Sequence, residues 1–211
     1  MSTFDPSALS HEIYGGEKAP AMTLSDNEAP KTNPTLFSDD FCRTWTPVFL
    51  IRHPAQMVES FYRAEARVHP VNLERKENQT YISLGYSRQL YDWYINNSDI
   101  KPIVLEADDV LEEGPSMTRM CEQVGMDPAR LVHSWAAKEV KDTDVNPFLK
   151  SYMEGLWQST GIDKSKMSKG LTVDGKYLQW KNELGDEIAD KLRDMVDKAM
   201  DDYNYLYARK L

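Results

Sequence analysis

The stretch Phe49-Leu50-Ile51-Arg52-His53-Pro54-Ala55-Gln56-Met57-Val58-Glu59-Ser60-Phe61-Tyr62-Arg63 decides how the rest of the chain is read. Val48-Phe49-Leu50-Ile51 is a continuous apolar run of strand length, the pattern of a strand buried on both faces of a parallel sheet. The run stops at Arg52, and His53-Pro54 turns the chain. Met57, Phe61, Ala64 and Val68 then recur at helical spacing. A strand ending on arginine puts a guanidinium at the C-terminal edge of the sheet, where open α/β sheets bind ligands. Ser60, eight residues on, falls on the helix that follows. An arginine fork and a serine hydroxyl so placed can converge on one phosphate. The same residues also suit a plainer arrangement, with Arg52 capping a carbonyl or pairing with a carboxylate and Ser60 facing solvent; His53, which follows the arginine, is read as tuning or flanking the site.

Working outward, residues 84–96 read as a second helix, rich in aromatic side chains. Pro102-Ile103-Val104-Leu105 is another short buried strand. Asp108-Asp109 reads as a solvated turn capping the next helix, with a metal or acid/base pair as the alternative, and that helix has Met117, Met120, Cys121 and Val124 on one apolar face, with Gly125 placed to end it. From Asp186 to Tyr205, the residues Ile188, Leu192, Met195, Val196, Ala199, Met200 and Tyr203 form an apolar stripe, and Asp, Lys and Arg fill the other face. The order strand, helix, helix, strand, helix predicts an α/β fold, with parallel strands joined by helical crossovers. Residues 47–211 are read as one α/β domain. Residues 1–46 read as an irregular N-terminal segment, interrupted by Gly15-Gly16, Pro20, Pro30 and Pro34.

The composition, 41% hydrophobic and 28% charged over 211 residues, suits one globular domain. No apolar run approaches the roughly 18 residues that span a bilayer. The start, Met1-Ser2-Thr3-Phe4-Asp5-Pro6, has neither the basic nor the apolar region of a secretory leader, so a cytoplasmic protein without membrane contact is expected. Cys42 and Cys121 sit beside apolar neighbours and read as small buried residues. A net charge of −9 argues against a general nucleic-acid binder but not against a locally basic anion pocket. No His/Asp/Glu spacing suggests a metal site, and no Gly-x-Ser-x-Gly elbow suggests a hydrolase triad.

The pattern strand-Arg52-x-Pro54, Ser60, then Phe61-Tyr62-Arg63 resembles the 3′-phosphate-binding segment of P-loop sulfotransferases, which use 3′-phosphoadenosine 5′-phosphosulfate (PAPS) as donor. Pro102 to Leu111 resembles a later strand and acidic turn of that family. Ser168-Lys169-Gly170, followed by Trp180-Lys181-Asn182, is similar to its Arg-Lys-Gly loop and downstream Trp-Lys, with Ser168 standing where the family has arginine. Over residues 30–207 the chain looks most like divergent sulfotransferase-like proteins of filamentous fungi, often encoded beside natural-product biosynthesis genes. The resemblance implies an incomplete three-layer P-loop-type α/β fold with a long C-terminal amphipathic helix. It implies PAPS as cofactor, no metal, and a role in small-molecule biosynthesis. Arg52, Ser60, Lys169 and Gly170 would hold the donor's 3′-phosphate. Tyr81, Tyr86, Tyr91, Trp93 and Tyr94 fall where the family builds its acceptor pocket, with Tyr86, Trp93 and Tyr94 as its expected substrate wall. A helix–helix core with tyrosine hydroxyls at its rim accounts for the same aromatic residues equally well.

Two parts of such an enzyme are not visible. No glycine- and serine-rich loop follows an apolar strand, and Gly15-Gly16 lacks both the preceding strand and a following Lys-Ser/Thr. The family's catalytic histidine lies upstream of the Arg-x-Pro strand, and Phe4 to Leu9 resembles the stretch that follows it. His11 is the one upstream histidine, read as a displaced base or a loop-exposed residue. PAPS turnover by the 211-residue chain is therefore expected to be absent or very weak. The alternatives are a non-sulfating accessory or small-molecule-binding protein, a cyclase- or isomerase-like protein, or a truncated remnant. Without the family's first strand, a central sheet edge would stand unpaired, which predicts a homodimer through that edge.

Overall fold

The computed structural model describes residues 31–140 and 145–211. A short helix α1 (Asp39–Cys42) leads into strand β1 (Val48–Ile51). Three helices follow, α2 (Pro54–Glu65), α3 (Lys76–Tyr81) and α4 (Gly85–Asn97), before strand β2 (Ile103–Glu106). After β2 come α5 (Ala107–Leu111), α6 (Pro115–Gln123), α7 (Pro147–Gln158), α8 (Val173–Leu184) and α9 (Asp186–Tyr207). The two strands pair in parallel, Val48 beside Ile103 through Ile51 beside Glu106. The expected helical crossover is thus present, and these are the sheet strands among the described residues.

Local chemistry explains the boundaries. Pro54 presets the first turn of α2, and the His53 ring caps that turn by accepting from the Ala55 N–H. The helix ends at Glu65, short of Val68, and the Val68 and His69 N–H groups both return to the Glu65 carbonyl in the turn that follows. Gly125, at φ +75°, ends the last turn of α6 as expected, with the Met126 N–H returning to the Cys121 carbonyl. Asp108 and Asp109 lie within the first turn of α5 rather than in an open turn, a position that favours acidic side chains.

The apolar stripe of α9 joins two core clusters. One gathers Phe49, Ile51 and Val104 from the sheet with Tyr91, Trp93 and Tyr94 of α4 and Tyr203 and Leu206 of α9. The other sets Ala55, Val58 and Phe61 of α2 against Trp180 of α8 and Ala189, Leu192, Met195 and Val196 of α9. Cys42 and Cys121 are both buried and free. No helix among the described residues is long and apolar enough to cross a membrane.

The strands differ from the expectation in one respect. All four positions of β2 are buried, but in β1 only Phe49 and Ile51 are, while Val48 and Leu50 are 42% and 63% exposed. The reading of β1 as buried on both faces is corrected: no described element packs over the Val48/Leu50 face. The outer edge of β2 is closed, since the Leu211 N–H donates to the Val104 carbonyl at 3.0 Å and Ser116 Oγ donates to the Leu211 carbonyl.

Candidate functional site

Arg52 sits at the C-terminal end of β1. Its Nε donates to Gln56 Oε1 at 3.1 Å, and its Nη2 reaches the Lys166 carbonyl at 3.3 Å. Gln56 Nε2 donates to the Met167 carbonyl at 2.7 Å. The first turn of α2 is thereby tied to the loop that carries Ser168, Lys169 and Gly170. The far side of that loop is held by Asp108 of α5, which accepts from Ser168 N and Oγ at 2.7–2.9 Å. Gly170 has φ +80°, and an added Cβ would meet nothing nearby, so backbone conformation and not space calls for glycine there. Lys169 projects into solvent, 80% exposed, with Glu112 Oε1 3.4 Å away. Ser60 is exposed on α2, one helical turn beyond Gln56 and on the same face. Arg52 and the Ser168–Gly170 loop, far apart in sequence, are therefore brought together, with Ser60 farther along the helix.

The partners of the Arg52 guanidinium are neutral oxygens rather than a carboxylate. Burial pulls it below its ordinary pKa, opposed by the charges of Asp108, Glu106 and Glu59, and arginine remains protonated throughout. A phosphate would be a stronger acceptor than the amide and carbonyl oxygens it now engages.

Beside this point, at the ends of both strands, lies a cleft of about 420 Å³ lined by His53, Glu106, Asp108, Lys169, Tyr203 and Lys210, among others. Glu106, the last residue of β2, is 1% exposed. One carboxylate oxygen accepts from the Asp108 N–H and the other from the Tyr203 hydroxyl at 3.3 Å. Burial pushes the Glu106 pKa up, beyond what the Asp108 N–H bond restores, and the nearby Asp108 charge adds to the rise. Tyr203 is likewise pushed up by burial, with the Glu106 charge second. His53 packs edge-on against the Tyr203 ring at 5.4 Å. Its Nδ1 accepts from the Ala55 N–H, so the neutral ring carries its proton on Nε2. Burial lowers the His53 pKa against the pull of Asp108, which favours that neutral form. His53 is therefore equipped as a hydrogen-bond donor and not as a base.

The cleft is acidic on balance. Glu106, Asp108, Asp109 and Glu112 face Lys169 and Lys210, and Lys210 is already paired with Asp109 at 2.7 Å. Sequence reasoning did not single out Glu106; the available signal was a carboxylate closing an otherwise apolar strand, Ile103-Val104-Leu105-Glu106.

A second groove, of about 710 Å³, runs between α3, α4 and α9, with Ile82, Met195 and Ala199 among its lining residues. Of the three expected substrate-wall residues, only Tyr86 lines it. Trp93 and Tyr94 instead belong to the core, 5% and 1% exposed. The Trp93 indole donates to Thr32 Oγ1 and the Tyr94 hydroxyl to the Cys42 carbonyl. The packed-core alternative describes these two residues. His11 and Gly15-Gly16 lie outside the described residues. His69 and His133 each stand within ion-pair distance of a glutamate, Glu65 and Glu113. Among the described residues there is no group of three side chains suited to hold a metal ion.

Comparison with known proteins adds an independent line. The sulfotransferase ppzF of Metarhizium majus is 36% identical over 221 residues, covering 99% of this chain and 64% of the relative. The sulfotransferase ppzF of Metarhizium rileyi is 33% identical over 225 residues, covering 98% of this chain and 66% of the relative. These relatives support a sulfotransferase-like family. The chain spans just under two thirds of their length. No family model matches it, and no solved structure does. The sulfotransferase-like resemblance read from the sequence thus agrees with these relatives.

Proposed function

We propose that this sulfotransferase-like protein binds the 3′-phosphate end of PAPS or its product 3′-phosphoadenosine 5′-phosphate, in the service of sulfuryl transfer to a hydroxylated small molecule. The observation that carries the reading is the junction of Arg52 with the loop leading to Lys169 and Gly170, at the C-terminal edge of the parallel strands. Arg52 would exchange Gln56 and the Lys166 carbonyl for phosphate oxygens, two parallel N–H bonds replacing weaker neutral ones. Ser60 would add a single hydroxyl donor from α2. Lys169 would turn from Glu112, a solvent-exposed pairing that costs little to break. Gly170 would let the loop fold over the phosphate. His53, with its proton on Nε2, would donate to an oxygen of the molecule in the adjoining cleft.

Calorimetric titration with 3′-phosphoadenosine 5′-phosphate tests this. Saturable binding is expected, weakened roughly 10- to 100-fold in Arg52→Ala, the range of a hydrogen bond to a charged group. Ser60→Ala should lose roughly 2- to 10-fold. A folded wild-type protein that does not bind the nucleotide, or an Arg52→Ala variant that binds it equally well, would remove the proposal.

A further inference from the structure

We infer that the cleft at the ends of β1 and β2 recognises the hydroxyl of a small phenolic acceptor, with His53 and Tyr203 as its specificity residues and Glu106 as the residue that positions Tyr203. The role as an acceptor site rests on the sulfuryl-transfer reading above; recognition of the hydroxyl does not. The charges along the cleft are already engaged. Lys210 pairs with Asp109 at 2.7 Å and lies 4.7 Å over the Tyr207 ring. Asp108 holds Ser168, and Glu112 stands 3.4 Å from Lys169.

What the described lining leaves uncommitted is neutral. With its Nδ1 accepting from the Ala55 N–H, His53 carries an Nε2–H that has no partner among the described residues. Tyr203, 6% exposed, donates to Glu106 Oε1 at 3.3 Å. The other Glu106 oxygen accepts from the Asp108 N–H. The Tyr203 proton is thereby committed to Glu106, and the lone pairs of the phenol oxygen remain. The His53 and Tyr203 rings pack edge-on at 5.4 Å, and both line the cleft. A donor and an acceptor are thus set side by side. A carbonyl or ether oxygen can use only the first and an ammonium only the second. A hydroxyl uses both, accepting from His53 and donating to Tyr203.

The Tyr207 ring, 5.5 Å from that of Tyr203, continues an aromatic wall, which suits a flat phenol in a space of about 420 Å³. An analogue without the hydroxyl would leave the His53 donor and the Tyr203 oxygen unpaired. A site built in this way discriminates against such an analogue more strongly than apolar contact alone does.

Fluorescence titration of the full chain with 2-naphthol and with its methyl ether provides the test, folding of each variant being checked by urea unfolding. The wild-type chain should bind the naphthol roughly tenfold tighter than the ether. Tyr203→Phe should abolish that preference by weakening the naphthol alone. His53→Asn, which keeps an acceptor for the Ala55 N–H but removes the Nε2–H, should reduce it several-fold. Glu106→Gln, whose amide can donate to the Tyr203 oxygen, should erase it as well, whereas a purely structural role would weaken both ligands alike. Saturating 3′-phosphoadenosine 5′-phosphate should leave naphthol binding intact. A wild-type chain that prefers the naphthol but does not bind the nucleotide supports the hydroxyl site and removes the donor reading. One that binds neither probe, or both equally, overturns the inference. So does a preference that survives in the folded variants, or competition between naphthol and nucleotide.

Discussion

β1 and β2 are of equal length and similar apolarity, and they lie side by side in one ladder, yet the molecule treats them differently. β2 is covered on both faces, and its outer edge is closed by the C-terminal residue. β1 packs one face into the core, and among the described residues no strand pairs with its outer edge and Val48 and Leu50 are exposed. The apolar character of a strand thus marks what it is able to bury, and the neighbouring elements determine what it does bury. The part of β1 that carries the candidate chemistry, Arg52, lies at the end of the less protected strand. Polar ties to Gln56 and the Lys166 carbonyl hold its guanidinium there.

The contrast is broken most directly by charge. Leu105→Lys, at a 4% exposed position of β2, should cost more than about 4 kcal/mol in urea unfolding, because an ammonium would be buried without a partner. Leu50→Lys in β1 should stay within about 0.5 kcal/mol, as for other exposed positions. Similar losses at both sites would mean that the two strands are equally buried in solution.

Acid sharpens the comparison next, because the segment before β1 is anchored by polar contacts. Asp39 accepts hydrogen bonds from Thr32 N and Oγ1 and from Asn33 N and Nδ2. Burial alone would raise its pKa, but those bonds together bring it down to about 2 from 3.8. The folded-state value is the lower one, so Asp39 stabilises the protein fully above pH 3.8, and this contribution is lost as pH falls toward 2. Chemical denaturation at a series of pH values should show a loss of about 2 kcal/mol across that window. In Asp39→Asn that part of the pH dependence should vanish, the variant being weaker at neutral pH. The smallest effect is expected at the β2 edge. Deleting Leu211 should cost about 1 kcal/mol, the value of one backbone hydrogen bond with its local packing. A much larger loss would make the C-terminal cap, rather than burial, the main difference between the strands.

Much of the scaffold was legible because it rests on period. The runs at Val48 and Ile103, the stripe along α9 and Gly125 at the end of α6 each express a local rule. The helices α1, α3, α5, α7 and α8 escaped the sequence reading. In α7 the exposed Phe148, Leu149, Tyr152 and Leu156 blur any division between a buried and a solvated face. The candidate site was legible only in part. Arg52 and the Lys169–Gly170 loop could be named from motif, and their meeting came from tertiary contacts across more than a hundred residues. Glu106 and His53 acquired their character from surroundings that no local pattern encodes: a tyrosine from α9 and the first N–H groups of α5 and α2. The aromatic cluster of α4 divided similarly, with Tyr86 at a groove and Trp93 and Tyr94 in the core.

By itself, the sequence determined the two strands and the helices α2, α4, α6 and α9, since apolar period and turn chemistry are properties of a few neighbouring residues. It also determined where an arginine would stand at a strand end. Only the tertiary structure decided which strand face was covered, which carboxylate was buried and which tautomer a histidine carried. Burial and proton placement depend on distant segments brought into contact, and these belong to the assembled chain.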